Sequence, residues 1–294
     1  MNNPSYAVIS PVRNEADYLG FTIASLQNQT VRPAIWVIVN DGSSDETSQI
    51  AKAAAQQFDW IHVVDREDRG YRKPGGGVVD AFYDGYAHIA TTEWQYVVKL
   101  DGDLTLAENY FEQCLGRFQK DAKLGIGGGT VCKKVNGELL PESTIAPTFH
   151  VRGATKIYRR PCWEQIGGLI RAPGWDTVDE VKANMLGWVT YSFPEIKVHH
   201  HRPAGQAQGA WKDWVKNGLA NYISGYHPLF MLFKCFTRLW QKPYGVAAVG
   251  LFYGFLSGYL KKTPQVEDQA MIRYFRRQQI RRLTFQDNLW TRKI

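Results

Sequence analysis

Val37-Ile38-Val39-Asn40-Asp41-Gly42-Ser43 and Val97-Val98-Lys99-Leu100-Asp101-Gly102-Asp103 indicate the fold class most directly. In each of them, an apolar run typical of a buried β-strand leads directly into carboxylates and a glycine. Carboxylates that follow the strands of an open α/β sheet lie in the crevice where such sheets bind ligands. The two stretches therefore predict a parallel sheet with a ligand site at its strand ends.

Strand-like and helix-like segments alternate on either side of these stretches, as they do in βαβ units. We predict strands over residues 6–10, 35–40, 61–64, 96–100 and 126–133, and helices near residues 17–27, 47–57, 78–89 and 109–120. Asn136-Gly137 indicates a hairpin, and a further strand is expected over residues 191–200, before a helix over residues 211–222. The predicted fold class is α/β, with a mostly parallel mixed sheet flanked by helices.

Charge is distributed unevenly along the chain. Residues 1–196 hold 19 Lys and Arg against 24 Asp and Glu, whereas residues 197–294 hold 16 against 4. This asymmetry predicts an acidic α/β domain over residues 1–205 and a basic, helical region over residues 206–294 that faces an anionic partner.

The sequence also indicates the cellular compartment. No basic, apolar leader precedes the first strand, so we expect a cytoplasmic protein. The cysteines are scattered, without a CxxC pair, and we expect reduced thiols rather than disulfides or structural zinc.

Four short motifs follow one another in a recognisable order. They are Pro11-Val12-Arg13-Asn14-Glu15, Asn40-Asp41-Gly42-Ser43, Asp101-Gly102-Asp103 and Asp176-Thr177-Val178-Asp179-Glu180. In order and spacing they resemble the inverting, nonprocessive family 2 glycosyltransferases of the GT-A type. The resemblance implies a GT-A (Rossmann-like) nucleotide-sugar-binding and catalytic domain over residues 1–205, with a helical C-terminal appendage.

The resemblance also implies which residues bind the nucleotide sugar. These residues are Pro11, Arg13, Asn14, Glu15, Asp41, Arg69, Asp101 and Asp103. Asp41 is expected at the base, where a carboxylate accepts the ring N–H of uracil, thymine or guanine alike, so the donor is a UDP-, dTDP- or GDP-sugar. The stretch over residues 69–77 is expected at the diphosphate. The alternatives are that Asn14 and Glu15 merely cap the next helix, and that residues 69–77 are only a flexible loop.

Asp101-Gly102-Asp103 fits the DxD pattern, which implies a divalent Mg2+ or Mn2+ ion between the protein and the donor phosphates. The expected ligands are Asp103, Asp101 and a late histidine. Strand alternation favours His199 or His201 over His200. Leu104 departs from the pattern because many relatives have a further acid there, so the metal can rest on Asp103, with Asp101 nearer the ribose. Arg202 is a second candidate for diphosphate contact.

Asp179 is the predicted catalytic base, which takes the proton from the acceptor hydroxyl. Val178 stands where the family usually has Glu, which leaves Glu180 as an alternative and Asp176 as a weaker one. The competing explanation is that these acids only stabilise a helix N-terminus.

The C-terminal region contains an uncharged stretch over residues 243–260, with Gly250, Gly254 and Gly258 at helical spacing. An apolar segment over residues 229–236 precedes it, and an arginine-rich tail follows it. These features predict peripheral docking at the anionic inner face of the cell membrane; homodimer formation, internal packing and a membrane span are the alternatives. A QxxRW motif is incomplete, so processive synthesis is not expected.

The expected acceptor is a saccharide or a lipid-linked saccharide in cell-surface polysaccharide or glycolipid assembly. A noncatalytic sugar-nucleotide-binding scaffold subunit is the competing function, suggested by Leu104 and Val178. Nucleic acid is not an expected partner, because no recognition module accompanies the basic tail.

Overall fold

The computed structural model of the protein describes residues 4–70, 75–202, 209–241 and 244–292. Within these ranges, nine strands form one sheet: β1 (Tyr6–Val12), β2 (Ile35–Asp41), β3 (Ile61–Arg66), β4 (Tyr96–Leu100), β5 (Leu104–Thr105), β6 (Leu124–Val135), β7 (Glu138–Pro141), β8 (Thr155–Arg159) and β9 (Val189–His200). The helices are α1 (Leu19–Gln27), α2 (Thr47–Gln57), α3 (Gly76–His88), α4 (Tyr110–Lys120), α5 (Arg160–Ile166), α6 (Trp175–Met185), α7 (Ala210–Ile223), α8 (Pro228–Phe236), α9 (Val246–Leu260) and α10 (Gln269–Leu283).

The strand order is β3-β2-β1-β4-β8-β6-β9-β5, and β7 pairs with β6. Strands β1 to β4 are parallel to one another, and β6 is parallel to β9. The antiparallel strand β8 lies between these two parallel groups. The predicted mixed α/β sheet is therefore confirmed, and the parallel register brings the ends of β1, β2 and β4 to one edge.

Both faces of the sheet are covered, which explains why β1, β2 and β4 are buried along their whole length. Helices α1, α2 and α4 pack on one face, and their apolar side chains include Leu19, Ala51 and Phe111. Helices α3 and α5 pack on the other face, with Phe82 and Trp163. Strands buried on both faces need nearly continuous apolar sequence, which is the pattern that made these strands predictable.

The C-terminal helices form a third core with α6, in which Val178 and Val181 contact residues such as Tyr222 and Phe275. The glycines of α9 pack against α7: a Cβ at Gly254 would lie 2.0 Å from the carbonyl oxygen of Val215. The helical glycine spacing thus serves packing inside the chain. The predicted boundary at residues 205 and 206 lies outside the described residues.

No helix within the described ranges combines the length and the apolar character that crossing a bilayer requires. The start of the uncharged stretch, residue 243, falls outside those ranges.

Candidate active site

Asp41 ends β2 and lies in a cluster of arginines. Arg69 donates through Nη1 to Oδ1 at 2.8 Å and through Nη2 to Oδ2 at 2.5 Å, and Arg66 pairs with the same Oδ1. Arg13 donates to the Asp41 carbonyl oxygen and forms an ion pair with Asp68 at 2.7 Å. The predicted base-binding carboxylate is thus brought together with Arg13 and Arg69, and this concentration of cations favours an anionic ligand nearby. Residues 71–74 of the predicted diphosphate loop lie outside the described residues.

Hydrogen bonds of Asn14, which follows β1, connect the end of that strand to the turn after β2. The backbone N–H of Asn14 donates to Ser43 Oγ at 3.0 Å, and Asn14 Oδ1 accepts the backbone N–H of Ser44 at 2.9 Å. Asn14 has a φ of 53°, in the left-handed region that asparagine tolerates better than most residues. The N-cap of α1 is Tyr18, so neither Asn14 nor Glu15 occupies the N-cap position. Pro11 lies within β1, in register with Val39.

Asp103 is buried at the start of the link from β4 to β5, and a late strand supplies its partners. Because β5 pairs with β9, His200 Nε2 lies 3.3 Å from Asp103 Oδ1, and Arg202 Nε lies 3.4 Å from Oδ2. Glu142 Oε1 holds the other ring nitrogen of His200, Nδ1, at 2.6 Å. Burial works to raise the pKa of Asp103, but the His200 and Arg202 cations outweigh it and lower that pKa.

The histidine beside Asp103 is His200, and not His199 as the strand alternation suggested. His199 and His201 do share one face, with ring centroids 4.2 Å apart, but the ring that lies beside the Asp103 carboxylate is that of His200. His201 instead contacts Thr105 Oγ1 at 2.7 Å and stacks on Phe21. The predicted alternation is confirmed, and His199 as a metal ligand stays a prediction, which the contact of His200 with Asp103 makes less favourable.

Glu15 completes the acidic cluster around Gly102. Its Oε1 accepts from Arg202 Nη2 at 2.8 Å, while its Oε2 is buried without a hydrogen-bond partner among the described residues. Burial, followed by the charges of Asp103 and Asp101, raises the pKa of Glu15 well above its usual value. Asp101 is more exposed and forms an ion pair with Lys99. Asp103 Oδ1 is likewise buried without a hydrogen bond among the described residues, and a cluster of acids with two such oxygens favours a cation.

Gly102 leaves no room for a side chain, which gives a first prediction. A Cβ there would lie 2.3 Å from Glu15 Oε2 and 2.5 Å from Val12 Cγ1. We expect Gly102→Ala to lower the free energy of unfolding by about 1–3 kcal/mol, measured in urea. Gly116→Ala is the control because nothing lies within 4 Å of that site. Equal stability of the two variants would show that the Gly102 turn tolerates a side chain.

The predicted base, Asp179, lies in a buried network and not on an open surface. Lys156 Nζ donates to both Asp179 oxygens at 2.9 Å, and the Tyr158 hydroxyl donates to Oδ2 at 2.6 Å. The side chains of Lys156 and Asp179 are both 0% exposed. Burial, opposed in part by Lys156, raises the pKa of Asp179 to about 6. A base must reach the proton that it removes, so this geometry argues against Asp179 in that role.

Glu180, the first alternative, belongs to the same network. Its Oε1 accepts from the Val151 backbone N–H at 2.7 Å and pairs with Lys156 at 2.8 Å, and its Oε2 lies 2.9 Å from His150 Nδ1. Glu180 is completely buried. These contacts anchor α6 to β8 and to the segment before it.

Asp176, in the first turn of α6, is the partly exposed acid of the Asp176–Glu180 motif. Within the described residues its carboxylate has no hydrogen bond or ion pair. A Cβ added at Gly153 would lie 3.7 Å from the Cβ of Asp176, and the backbone next to Gly153 bonds to the DxD motif, because Ala154 O accepts from Asp101 N at 2.8 Å. Asp176 therefore lies on the side of α6 that faces the strand-end crevice.

Four further residues of these networks, Glu142, His150, Lys156 and Tyr158, belong to no motif that the sequence reveals. They lie on β8, or in the loop between β7 and β8. The one available signal was Lys156, a lysine inside a short strand-like run.

Comparison with known proteins decides the family. The model of the family described as "Glycosyl transferase family 2" matches residues 7–171, more than half of the chain. This chain belongs to glycosyl transferase family 2. The resemblance inferred from the four motifs is thereby confirmed. The match covers the three motifs up to Asp103 and ends before α6.

Curated relatives within this family are similar over a shorter stretch. The 4,4'-diaponeurosporenoate glycosyltransferase of Staphylococcus aureus (strain bovine RF122 / ET3-1) is 30% identical over 126 residues, which cover 42% of this chain and 31% of the relative. The chain thus spans under one third of the length of that relative.

Solved structures with the family's GT-A fold resemble the whole chain. The mannosyltransferase PcManGT from Pyrobaculum calidifontis, in complex with GDP-Man and Mn2+, has a TM-score of 0.56 at 16% identity, over 99% of this chain and 89% of that one. TarS 1-349 of S. aureus, in complex with UDP-GlcNAc, has a TM-score of 0.54 at 17% identity, over 91% and 78%. These likenesses confirm the fold.

The residues around Asp103 fit the divalent metal that the family implies. Within the described ranges no group of three or more acids, histidines or cysteines is arranged as a complete metal site. A donor-bound ion needs fewer protein ligands, because substrate phosphates supply several oxygens. Among the same residues, Asp103 Oδ1 is buried without a hydrogen bond beside His200, and Glu142 holds the other nitrogen of that ring, as outer carboxylates do for metal-binding histidines.

Proposed function

We propose that this protein is a nonprocessive glycosyltransferase that moves one sugar from a nucleotide-sugar donor to a hydroxyl acceptor with inversion. One observation carries the proposal: Asp41, Asp101 and Asp103 follow strands whose parallel register brings their ends to one edge, and Asp176 faces the same crevice. A scaffold that only binds a sugar nucleotide would not need an unpaired carboxylate there.

The donor is proposed to lie along this edge, with its base near Asp41 and its diphosphate near Arg202. Asp41 has two carboxylate oxygens and so retains lone pairs for a base N–H while it accepts from Arg66 and Arg69. GDP-Man and UDP-GlcNAc, bound in the two structural neighbours, are the donor classes to test first. Pro11, Arg13 and Asn14 shape the base pocket from the side of β1.

Asp103 and His200 would hold a Mg2+ or Mn2+ ion, with Asp101 and Glu15 adding negative charge nearby. When bound, the ion supplies positive charge at the phosphate oxygens of the leaving nucleoside diphosphate. His200 replaces His199 in this proposal because it is the ring that contacts Asp103. Arg202 adds a fixed cation to the same site.

Asp176 is proposed as the base in place of Asp179. Its carboxylate takes the proton from the acceptor hydroxyl while that oxygen forms a bond to the anomeric carbon and the bond from that carbon to the diphosphate breaks. Attack opposite the leaving group inverts the anomeric configuration. The buried Lys156–Asp179–Glu180 network holds the first turn of α6, and so positions Asp176.

A saccharide or lipid-linked saccharide in cell-surface polysaccharide or glycolipid assembly remains the proposed acceptor. The apolar helices that follow α6 support a lipid-linked form. Homodimer formation remains a prediction.

Nucleotide-dependent stabilisation tests the proposed donor site. We expect one of UDP, GDP or dTDP, at about a hundred times its dissociation constant and with Mn2+, to stabilise the protein by about 2.7 kcal/mol in thermal unfolding. The effect should require Mn2+ and should disappear in Asp103→Asn. Asp59→Asn, at an exposed position away from the site, is the matched control. No response to any nucleotide would contradict the proposed function.

A further inference from the structure

Exposed apolar side chains concentrate in one part of the molecule. Within the described residues, 14 of the 19 large hydrophobic side chains that are exposed lie between Trp211 and Leu260. Scattered exposed leucines are normal on a protein surface, but a concentrated apolar patch marks an interaction site. The patch is built from α8, the turn after it and α9.

Helix α8 is apolar on both of its faces. Phe230, Met231 and Cys235 point into the third core, while the opposite stripe is between 42% and 59% exposed. This stripe consists of Leu229, Leu232, Phe233 and Phe236, at the i, i+3, i+4, i+7 spacing of one helix face. The internal packing of the chain explains only the inner face of α8.

Helix α9 repeats this arrangement beside α8. Its inner face is made of small residues such as Gly250 and Gly254, which fit against α7. Its outer stripe is exposed and consists of Val249, Phe252, Tyr253, Leu256, Tyr259 and Leu260. The turn between the two helices adds Trp240, which is 64% exposed, and Tyr244. We call these two stripes, with Trp240 and Tyr244, the apolar face.

Exposed lysines border the apolar face. Lys212 and Lys216 lie on α7, which packs against α9, and Lys261 and Lys262 follow directly after α9. Lys234 lies instead on the inner side of α8, where its Nζ contacts Asn221 Oδ1 at 3.3 Å and lies 4.6 Å from the centre of the Tyr226 ring. The border of the apolar face is therefore formed by the four exposed lysines.

We infer that the apolar face docks onto a bilayer that contains anionic phospholipids, with Lys212, Lys216, Lys261 and Lys262 at the level of the lipid phosphates. Long basic side chains at the edge of an apolar surface reach towards headgroups, and tryptophan and tyrosine favour the same interface. Asp213 is the one acid of the described residues between 210 and 262, so the border is strongly positive.

The positive border favours an anionic bilayer over a second copy of the chain as the partner of the apolar face. Two such faces brought together would place the bordering lysines near one another, and lysine is depleted at protein interfaces. An anionic bilayer instead attracts every cation of the border, and each cation near the surface contributes about 1 kcal/mol to the free energy of binding. Docking of this kind does not depend on which donor or acceptor the enzyme uses.

Vesicle flotation with the full chain tests the inference. We expect the protein to float with phosphatidylcholine vesicles that contain phosphatidylglycerol, and much less with phosphatidylcholine alone. The double variant Leu232→Ser and Phe236→Ser should partition about tenfold more weakly, because it removes two inserted side chains. Its matched control is Leu140→Ser with Ile145→Ser, two exposed apolar residues far along the chain from this face.

A second pair of variants tests the cations. Lys212→Gln with Lys261→Gln should lower binding to the anionic vesicles about tenfold, while Lys120→Gln with Lys123→Gln, which changes the net charge equally, should have little effect. Each variant is checked for an unchanged unfolding midpoint. Failure to float with anionic vesicles would overturn the inference. So would a lipid-free dimer that Leu232→Ser with Phe236→Ser converts to a monomer.

Discussion

Asp176→Asn should lower the turnover of sugar transfer by about 10²- to 10⁴-fold, while the donor nucleotide still binds. The amide keeps the size of the side chain but cannot take the proton of the acceptor hydroxyl. Because Asp176 is partly exposed and has no hydrogen bond or ion pair among the described residues, the exchange should leave the fold unchanged. Turnover is measured from nucleoside diphosphate release with the acceptor present, and donor binding from thermal stabilisation.

The comparison with Asp179→Asn makes this prediction specific. Asp179 accepts hydrogen bonds from Lys156 and Tyr158 inside the core. Its replacement should therefore lower the free energy of unfolding rather than act directly on the chemical step. Asp176→Asn should show the reverse pattern, with stability retained and turnover lost. Full turnover in Asp176→Asn would remove this residue from the mechanism. A stable but inactive Asp179→Asn would restore the base predicted from the sequence.

The central strands could be predicted because their burial is continuous. A strand covered on both faces needs an apolar residue at nearly every position, and β1, β2 and β4 have that pattern. Strand β8 could not be predicted in the same way. Its Lys156 is completely buried but charged, and only the folded chain brings Asp179 and Glu180 to it. A lysine in a short strand-like run is usually exposed, so the sequence gives no sign that Lys156 is buried.

The choice among the three consecutive histidines shows a second limit of sequence reasoning. Alternation along a strand relates His199 to His201, but it does not say which face meets a given neighbour. Strand β9 also shifts register between its pairings Gly129–Phe193 and Thr130–Lys197. Counting residues from the start of β9 therefore does not show on which side of the sheet a given histidine lies. The pairing of Leu104 in β5 with His200 in β9 brings His200 next to Asp103. Strand β5 has only two residues, and nothing in the sequence predicts it.

The acidic cluster lies at the start of a helix, as the sequence predicted, and which of its acids acts as the base stays a prediction. The structure distinguishes the three acids: Asp179 and Glu180 lie in the buried Lys156 network, whereas Asp176 is partly exposed. Burial separates them, and burial on α6 depends on the contacts of Val178 and Val181 with the C-terminal helices. Those contacts join segments that lie far apart along the chain, beyond the reach of a local motif.

Lys156→Met should lower the free energy of unfolding by about 3–5 kcal/mol, because it leaves two buried carboxylates without their cation. Lys156 pairs with Asp179 at 2.9 Å and with Glu180 at 2.8 Å, and all three side chains are 0% exposed. Urea unfolding at neutral pH measures the loss. Methionine is similar in length to lysine and fills the same space, so the expected cost is electrostatic rather than a cavity.

Two further variants separate charge from packing. Lys52→Met removes an exposed lysine that pairs with Asp65 at 2.6 Å, and it should cost less than about 1 kcal/mol because solvent screens that pair. Adding Asp179→Asn to Lys156→Met should recover part of the stability, since one uncompensated charge is then removed. A Lys156→Met variant as stable as Lys52→Met would show that the network is not what holds α6. If the network does hold it, the variant that remains folded should also lose turnover, because Asp176 lies one helical turn from Asp179.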